Sequence, residues 1–169
     1  MISVVIATLN DDRLLADTLS ALIPAAVDGL VHQVVIADGG STDATLEIAE
    51  DAGALMVSGD LGAGVDAARE AWVLVLDADA RLRPGWEPIA YAHTQTAPAK
   101  AGWIGPERPS GLVGWVVALG GEPAVGLLAP KTMLSGAVPA GRRSSVNDLA
   151  RALGRRRLIR LGFTAVSDA

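Results

Sequence analysis

Over its first eighty residues the chain repeats one pattern: a short apolar run, a turn of small polar residues, then an alanine-rich helical stretch. The runs are Ile2-Ser-Val-Val-Ile-Ala7, Val34-Val-Ile-Ala37, Ala54 to Val57 and Trp72-Val-Leu-Val-Leu76. Apolar runs of this length without strict polar alternation fit strands buried on both faces. Strands that alternate with helices pair in parallel through crossovers. The pattern predicts an α/β fold with a mostly parallel sheet and helices on both faces. At 169 residues one domain of ordinary size is expected.

The intervening helices are expected from about Asp11 to Leu22, with Asn10 as N-cap and Pro24 near the end, and from Ser41 or Thr42 to about Ala52, with Gly53 as the stop. A third is expected from Gly64 to Ala71. Beyond Asp79 the pattern is less regular. A helix is expected over Pro84 to Gln95, a strand over Gly126 to Ala129, a helix over Ser145 to Leu153 and a last short strand over Leu158 to Leu161. Residues 98–123 carry much of the Pro, Gly and Trp.

Two features point to chemistry. Asp77-Ala-Asp79 closes the run Trp72 to Leu76. Open α/β sheets bind ligands at the carboxyl ends of their strands, and hard divalent cations take carboxylate oxygens while leaving room for substrate phosphates. Two carboxylates one residue apart at such a position therefore suggest a metal–diphosphate site. The second feature is Ala37-Asp-Gly-Gly-Ser-Thr-Asp43, after the second run. Asp38 can accept from a base N–H or a ribose hydroxyl, and Gly39 and Gly40 permit close backbone approach. A well-capped loop between strand and helix is the alternative. The acidic side chains at neighbouring strand tips are expected to converge on one cation and the diphosphate that it neutralises.

Charge is unevenly placed. Residues 1–79 hold fourteen acids and two arginines, whereas residues 142–160 hold seven arginines and the single acid Asp148. Such a basic segment suits an anionic partner, either a diphosphate or an anionic membrane surface; a solvated helix face is the bland alternative. Nothing points to nucleic acid. The chain has no cysteine, which excludes disulfides and thiolate metal sites and suits a reducing cytoplasm. With the first strand expected from Ile2, no signal peptide is expected.

Ser3-Val-Val-Ile-Ala-Thr-Leu-Asn10, Ala37-Asp-Gly-Gly-Ser-Thr-Asp-Ala-Thr45, Leu76-Asp-Ala-Asp-Ala-Arg-Leu82 and Pro84-Gly-Trp86, in this order and spacing, resemble family 2 glycosyltransferases. The resemblance covers about residues 1–90. It implies a single GT-A-like, Rossmann-like domain, with residues 1–90 as the nucleotide-sugar-binding half and residues 91–169 as the acceptor side. It further implies a nucleotide-diphospho-sugar donor, Mg²⁺ or Mn²⁺, and inverting transfer of a sugar to an acceptor that the sequence does not name. By the same resemblance Ala7, Thr8, Leu9 and Asn10 line the nucleotide pocket. Asp38, beside Gly39, contacts the base. Asp77, with Ala78, meets the ribose or metal, and Asp79 binds the metal. Asp66 either faces the nucleotide or stands in the first turn of its helix for reasons of dipole. Arg81 and Arg83 are expected to be solvated.

The sequence departs from the family pattern at one place. Members place an acidic pair before a helix like Asp148-Leu-Ala-Arg-Ala-Leu153; here Ser145-Val146 stand there. Either Asp148 or Glu122 is a displaced general base, or the chain binds a nucleotide sugar without efficient transfer. His93 is expected on a helix surface; Trp72, Trp86, Trp103 and Trp115 are expected in core or interface positions, with Trp86 and Trp103 the best candidates for an acceptor role.

Overall fold

A computed structural model describes residues 1–97, 99–106, 124–138, 145–154 and 157–166. Among these, eight strands form one sheet: β1 (Ile2–Thr8), β2 (Val31–Asp38), β3 (Leu55–Ser58), β4 (Trp72–Asp77), β5 (Arg81–Leu82), β6 (Gly102–Pro106), β7 (Gly126–Pro130) and β8 (Ile159–Val166), in the order β3-β2-β1-β4-β7-β6-β8-β5. β1 pairs in parallel with β2 and β4, and β2 with β3. β7 turns antiparallel to β4 and β6, and β5 to β8, while β6 and β8 run parallel. The sheet is thus parallel in its first half and mixed in its second.

Seven helices accompany it among the described residues: α1 (Asp12–Ser20), α2 (Ile23–Val27), α3 (Thr45–Asp51), α4 (Leu61–Ala67), α5 (Trp86–Thr96), α6 (Lys131–Leu134) and α7 (Val146–Ala152). One core packs Val4, Ile6, Ile36, Leu74 and Leu76 against Leu15, Leu19, Ala49 and Trp86, on the side of α1, α3 and α5. The other packs Val5, Val35, Val73 and Val75 against Leu61, Val65, Leu134, Val146 and Leu149, on the side of α4, α6 and α7. Helices cover both faces, as the unalternated runs require.

Several boundaries differ from expectation for identifiable reasons. Asn10 is not a cap: its φ of 59° is left-handed, and α1 starts only at Asp12. Pro24 opens the separate helix α2, where its fixed φ suits the first turn. The helix placed from Gly64 begins at Leu61, because Asp60 caps it through Ala63 N–H at 3.2 Å. Gly64 serves packing: a Cβ there would stand 2.6 Å from Val5 Cγ1 and 3.0 Å from Ala37 Cβ. Gly102 does likewise in β6, where a Cβ would meet Leu161 Cδ2 at 2.6 Å, so a strand there lacks a β-branched signature.

His93 is buried rather than on a surface. Its Nε2 lies 3.0 Å from Lys100 O and its ring packs edge-on against Trp72. Trp86 is fully buried, and Trp103 carries the Arg160 guanidinium 5.5 Å above its ring. Arg81, expected to be solvated, pairs with Asp17 at 2.9 Å. Glu122, Trp115 and four of the C-terminal arginines (Arg142, Arg143, Arg155 and Arg156) lie outside the described residues. Among the described residues no helix is long and apolar enough to cross a membrane.

Candidate functional site

The loops that follow β1 and β2 are tied together by their own short polar side chains. Asn10 Oδ1 accepts from Thr42 N–H at 2.8 Å, and Asn10 N–H donates to Ser41 Oγ at 2.9 Å. Asp11 N–H donates to Thr45 Oγ1 at 3.0 Å and Asp12 N–H to Asp43 at 3.3 Å. Gly39 N–H closes the set on Thr8 O at 2.9 Å. The left-handed turn at Asn10, which asparagine tolerates better than most residues, lets one side chain and its own amide address the opposite loop together. Ser41 and Thr42, expected to cap α3, bridge the loops instead. Asp43 accepts from Thr45 N–H at 3.0 Å at the start of α3, and the Thr45 hydroxyl chiefly holds its carboxyl below the usual value.

Asp38 is the hub of this structure. Its carboxylate accepts from Gly40 N–H at 2.9 Å, Ser41 N–H at 3.0 Å, Ser41 Oγ at 2.5 Å and Thr8 Oγ1 at 3.5 Å. Burial pushes its pKa up, but these bonds together outweigh burial and hold it below the usual aspartate value.

At the tip of β4, Asp77 through Ala80 form a β-turn closed by Ala80 N–H on Asp77 O at 3.0 Å. The Asp77 carboxylate lies half-buried against the start of α7 and accepts from Val146 N–H at 3.2 Å. Desolvation pushes its pKa up to about 6, and the charges of Asp79 and Asp148 push the same way against the Val146 bond. Asp148 completes a capping box: Ser145 Oγ accepts from Asp148 N–H, and Asp148 Oδ2 accepts from Ser145 N–H at 3.3 Å.

The register decides which of these groups share a face. Thr8 pairs with Asp38 and Ala7 with Asp77. Because side chains alternate along a strand, Asp38 leaves β2 on the side of α1 and α3, and Asp77 leaves β4 on the side of α4 and α7. Asp38 and Asp77 therefore flank the tip of β1 on opposite faces rather than meeting at one point. Asp66 is also displaced. It is exposed in the last turn of α4, where its carbonyl and that of Ala68 accept from Lys131 Nζ at 2.9 and 2.7 Å. Lys131 follows Pro130, the partner of Trp72, so Asp66 lies at the far end of β4 from Asp77. The structure thus groups Ala7, Thr8, Leu9, Asn10, Asp38 and Gly39 around two joined loops, sets Asp77, Ala78 and Asp79 beside them, and leaves Asp66 apart. Sequence reasoning did not single out Thr18, whose buried hydroxyl donates to Ala78 O at 2.7 Å; a threonine on the buried stripe of a helix was the available signal.

Among the described residues no three His, Cys, Asp or Glu side chains gather as a metal shell. Two carboxylates are nevertheless what a Mg²⁺-type site needs when substrate phosphates and water complete the coordination. Asp77, raised by burial beside two further acids, is a donor that a cation would relieve.

The model of glycosyl transferase family 2 matches residues 3–101. No curated protein matches the chain. Among solved structures, glucosyl-3-phosphoglycerate synthase from Mycobacterium tuberculosis in complex with Mn²⁺, UDP and glucosyl-3-phosphoglycerate superposes with a TM-score of 0.70 at 21% identity, over 100% of this chain and 72% of that one. The same synthase with Mn²⁺ and UDP-glucose gives 0.70 at 22%, over 100% and 71%. A mycobacterial protein gives 0.72 at 22%, over 95% and 64%. The fold is that of the GT-A glycosyltransferases. With 99 of its 169 residues inside the family's model, the chain belongs to glycosyl transferase family 2 and is a transferase.

Proposed function

We propose that this enzyme moves a hexosyl group, with inversion, from a nucleoside-diphospho-sugar to an acceptor bound on the side of α7, with Mn²⁺ or Mg²⁺ at Asp77 and Asp79. The observation that carries the reading is the Asp77–Ala80 turn. It places a half-buried carboxylate of raised pKa next to a second carboxylate at the tip of a central strand. The Mn²⁺, UDP and UDP-glucose of the structural neighbours support the same assignment.

In this reading the joined loops hold the nucleoside. Leu9 and Asn10 line one wall, Ala7 and Thr8 the floor. A base N–H takes the Asp38 lone pair that faces Thr8, the longest of its bonds at 3.5 Å. Gly39, which approaches the Thr8 carbonyl, leaves space for the ribose. Asp77 and Asp79 hold the cation, with Ala78 between them. Such a cation stabilises the charge that develops on the leaving diphosphate. Asp148, on the acceptor side and felt electrostatically at Asp77, accepts the acceptor's proton and gives up its bonds to Ser145.

A second reading is favoured by one observation. Ser145 and Val146 occupy the start of α7 without a carboxylate, and Asp148 is engaged in a capping box. The chain then binds the donor and turns it over poorly. Calorimetry with UDP-glucose and Mn²⁺, followed by a transfer and hydrolysis assay on the same sample, separates the two. Binding with turnover that falls in Asp148→Asn supports the first reading. Binding without turnover against a broad acceptor panel supports the second. No Mn²⁺-dependent binding of any nucleoside diphosphate overturns both.

A further inference from the structure

The Asp77–Ala80 turn has a feature that its motif does not announce: the orientation of its central peptide is held from outside. A β-turn of this kind exists in two principal forms that differ by a flip of the peptide between its second and third residues. Here that peptide joins Ala78 to Asp79. The flipped form would send the Ala78 carbonyl the other way and put Asp79 near φ +80°, which a residue with a Cβ adopts at a cost. Asn10 is the non-glycine residue with positive φ among those described, so Asp79 is in the unflipped form.

The Ala78 carbonyl accepts from Thr18 Oγ1 at 2.7 Å. Thr18 lies on α1, is fully buried and stands sixty residues away in sequence. A helical threonine ordinarily bonds its hydroxyl back to its own helix; this one reaches across to the turn. Ala78 and Ala80 are themselves buried against the same core. Next to Thr18, Asp17 pairs with Arg81 at 2.9 Å, just beyond the turn, but that pair is half exposed and weak by comparison.

We infer that Thr18 is a positioning residue: its hydroxyl fixes the Ala78–Asp79 peptide and thereby the direction in which Asp79 presents its carboxylate to the cation. The inference rests on the proposed metal site for its functional consequence, though the lock on the turn does not. α1 follows directly from the Leu9–Asp11 loop, so one helix references both the nucleoside loops and the metal turn.

The test uses the full chain with UDP as probe, titrated with and without Mn²⁺. Thr18→Val removes the hydroxyl at nearly constant volume and leaves the carbonyl without its donor. It is expected to weaken the Mn²⁺-dependent part of UDP binding about tenfold, with metal-free UDP binding within about twofold of the parent. Thr18→Ser, which keeps the hydroxyl, restores the Mn²⁺ response. Amide exchange at Ala80, whose N–H closes the turn, rises in Thr18→Val and returns in Thr18→Ser. Should Thr18→Val fail to fold, Thr18→Ala against Thr18→Ser gives the same comparison. A hydroxyl-free variant whose melting temperature drops while its Mn²⁺ response and Ala80 exchange stay at the parental level overturns the inference. Asp79→Ala is the separate control: if it keeps the parental Mn²⁺ response, the metal assignment fails, while Ala80 exchange still decides whether Thr18 locks the turn.

Discussion

The tips of β1 and β2 and the start of α7 are both polar junctions, yet they are held differently. At the first, side chains and amides of two loops some thirty residues apart cross repeatedly: Asn10 with Ser41 and Thr42, Asp11 with Thr45, Asp12 with Asp43. At the second, α7 reaches the tip of β4 through the Val146 amide on Asp77, and Asn147 Oδ1 accepts from Ala124 N–H at 3.3 Å. The first junction is held by its own side chains and amides, an order that would lower the cost of the binding proposed there. The second runs through a carboxylate proposed to change its charge environment when the cation binds. The contrast teaches that one polar junction can be preorganised by its own loops while its neighbour is referenced to the tip of a strand; in the proposed function the first would hold the donor and the second would face the acceptor.

The sharpest break of this contrast is Asp79→Ala. Loss of a direct ligand should exceed the roughly 10–100-fold that outer partners of a metal site are worth. Calorimetry should therefore show the Mn²⁺-dependent gain in UDP affinity abolished while metal-free binding remains. Gly64→Ala comes next, with an expected cost of about 1–3 kcal/mol from overpacking against Val5 and Ala37. Gly126→Ala should cost about as much in a urea titration. Its Cβ would meet Ile104 Cδ1 at 2.6 Å and Leu76 Cδ2 at 3.0 Å, ends of flexible side chains, but also the Ile104 Cβ at 3.1 Å, which cannot rotate away.

Asn10→Ala and Ser145→Ala sharpen the comparison directly. Ser145→Ala removes a helix cap and should cost about 1 kcal/mol in unfolding free energy, whereas Asn10→Ala also leaves an alanine in a left-handed turn and should cost somewhat more. Asn10→Ala should also weaken metal-free UDP binding, and Ser145→Ala should leave it unchanged; equal effects on binding would erase the distinction between the junctions.

The smallest effect is in acid. Asp38 titrates lower in the folded chain than in the unfolded one, so its ionised form stabilises the fold above the unfolded carboxylate pKa. That contribution is lost as pH falls through the folded value. Asp38→Asn should therefore flatten the acid limb of a melting-temperature profile below about pH 4 and show the largest relative loss near neutrality. A parallel downward shift at every pH would count against the electrostatic account.

How far these features can be read in the sequence depends on the reach of the interaction. β1, β2 and β4 are legible because burial on both faces leaves an apolar run with no polar alternation. Ser145 as the cap of α7 is legible because it lies three residues before Asp148. The face from which each carboxylate emerges is not, since it depends on the pairing of Thr8 with Asp38 and of Ala7 with Asp77. Asp66 was misplaced because Gly62 and Gly64 hide a helix that Asp60 starts. β5, two residues long, has no periodicity to detect. Thr18 was legible only as a threonine on the buried stripe of α1; its partner, the Ala78 carbonyl sixty residues on, leaves no mark in the sequence.

The alternation that parts Asp38 from Asp77 also sets a minimum ligand size. The strands carrying them are two spacings apart, about 10 Å, with β1 between them. A molecule must sit astride β1 to touch both sides. A free base is too short to do so; in the proposed function a nucleoside diphosphate would span it, its base toward Asp38 and its diphosphate toward Asp77.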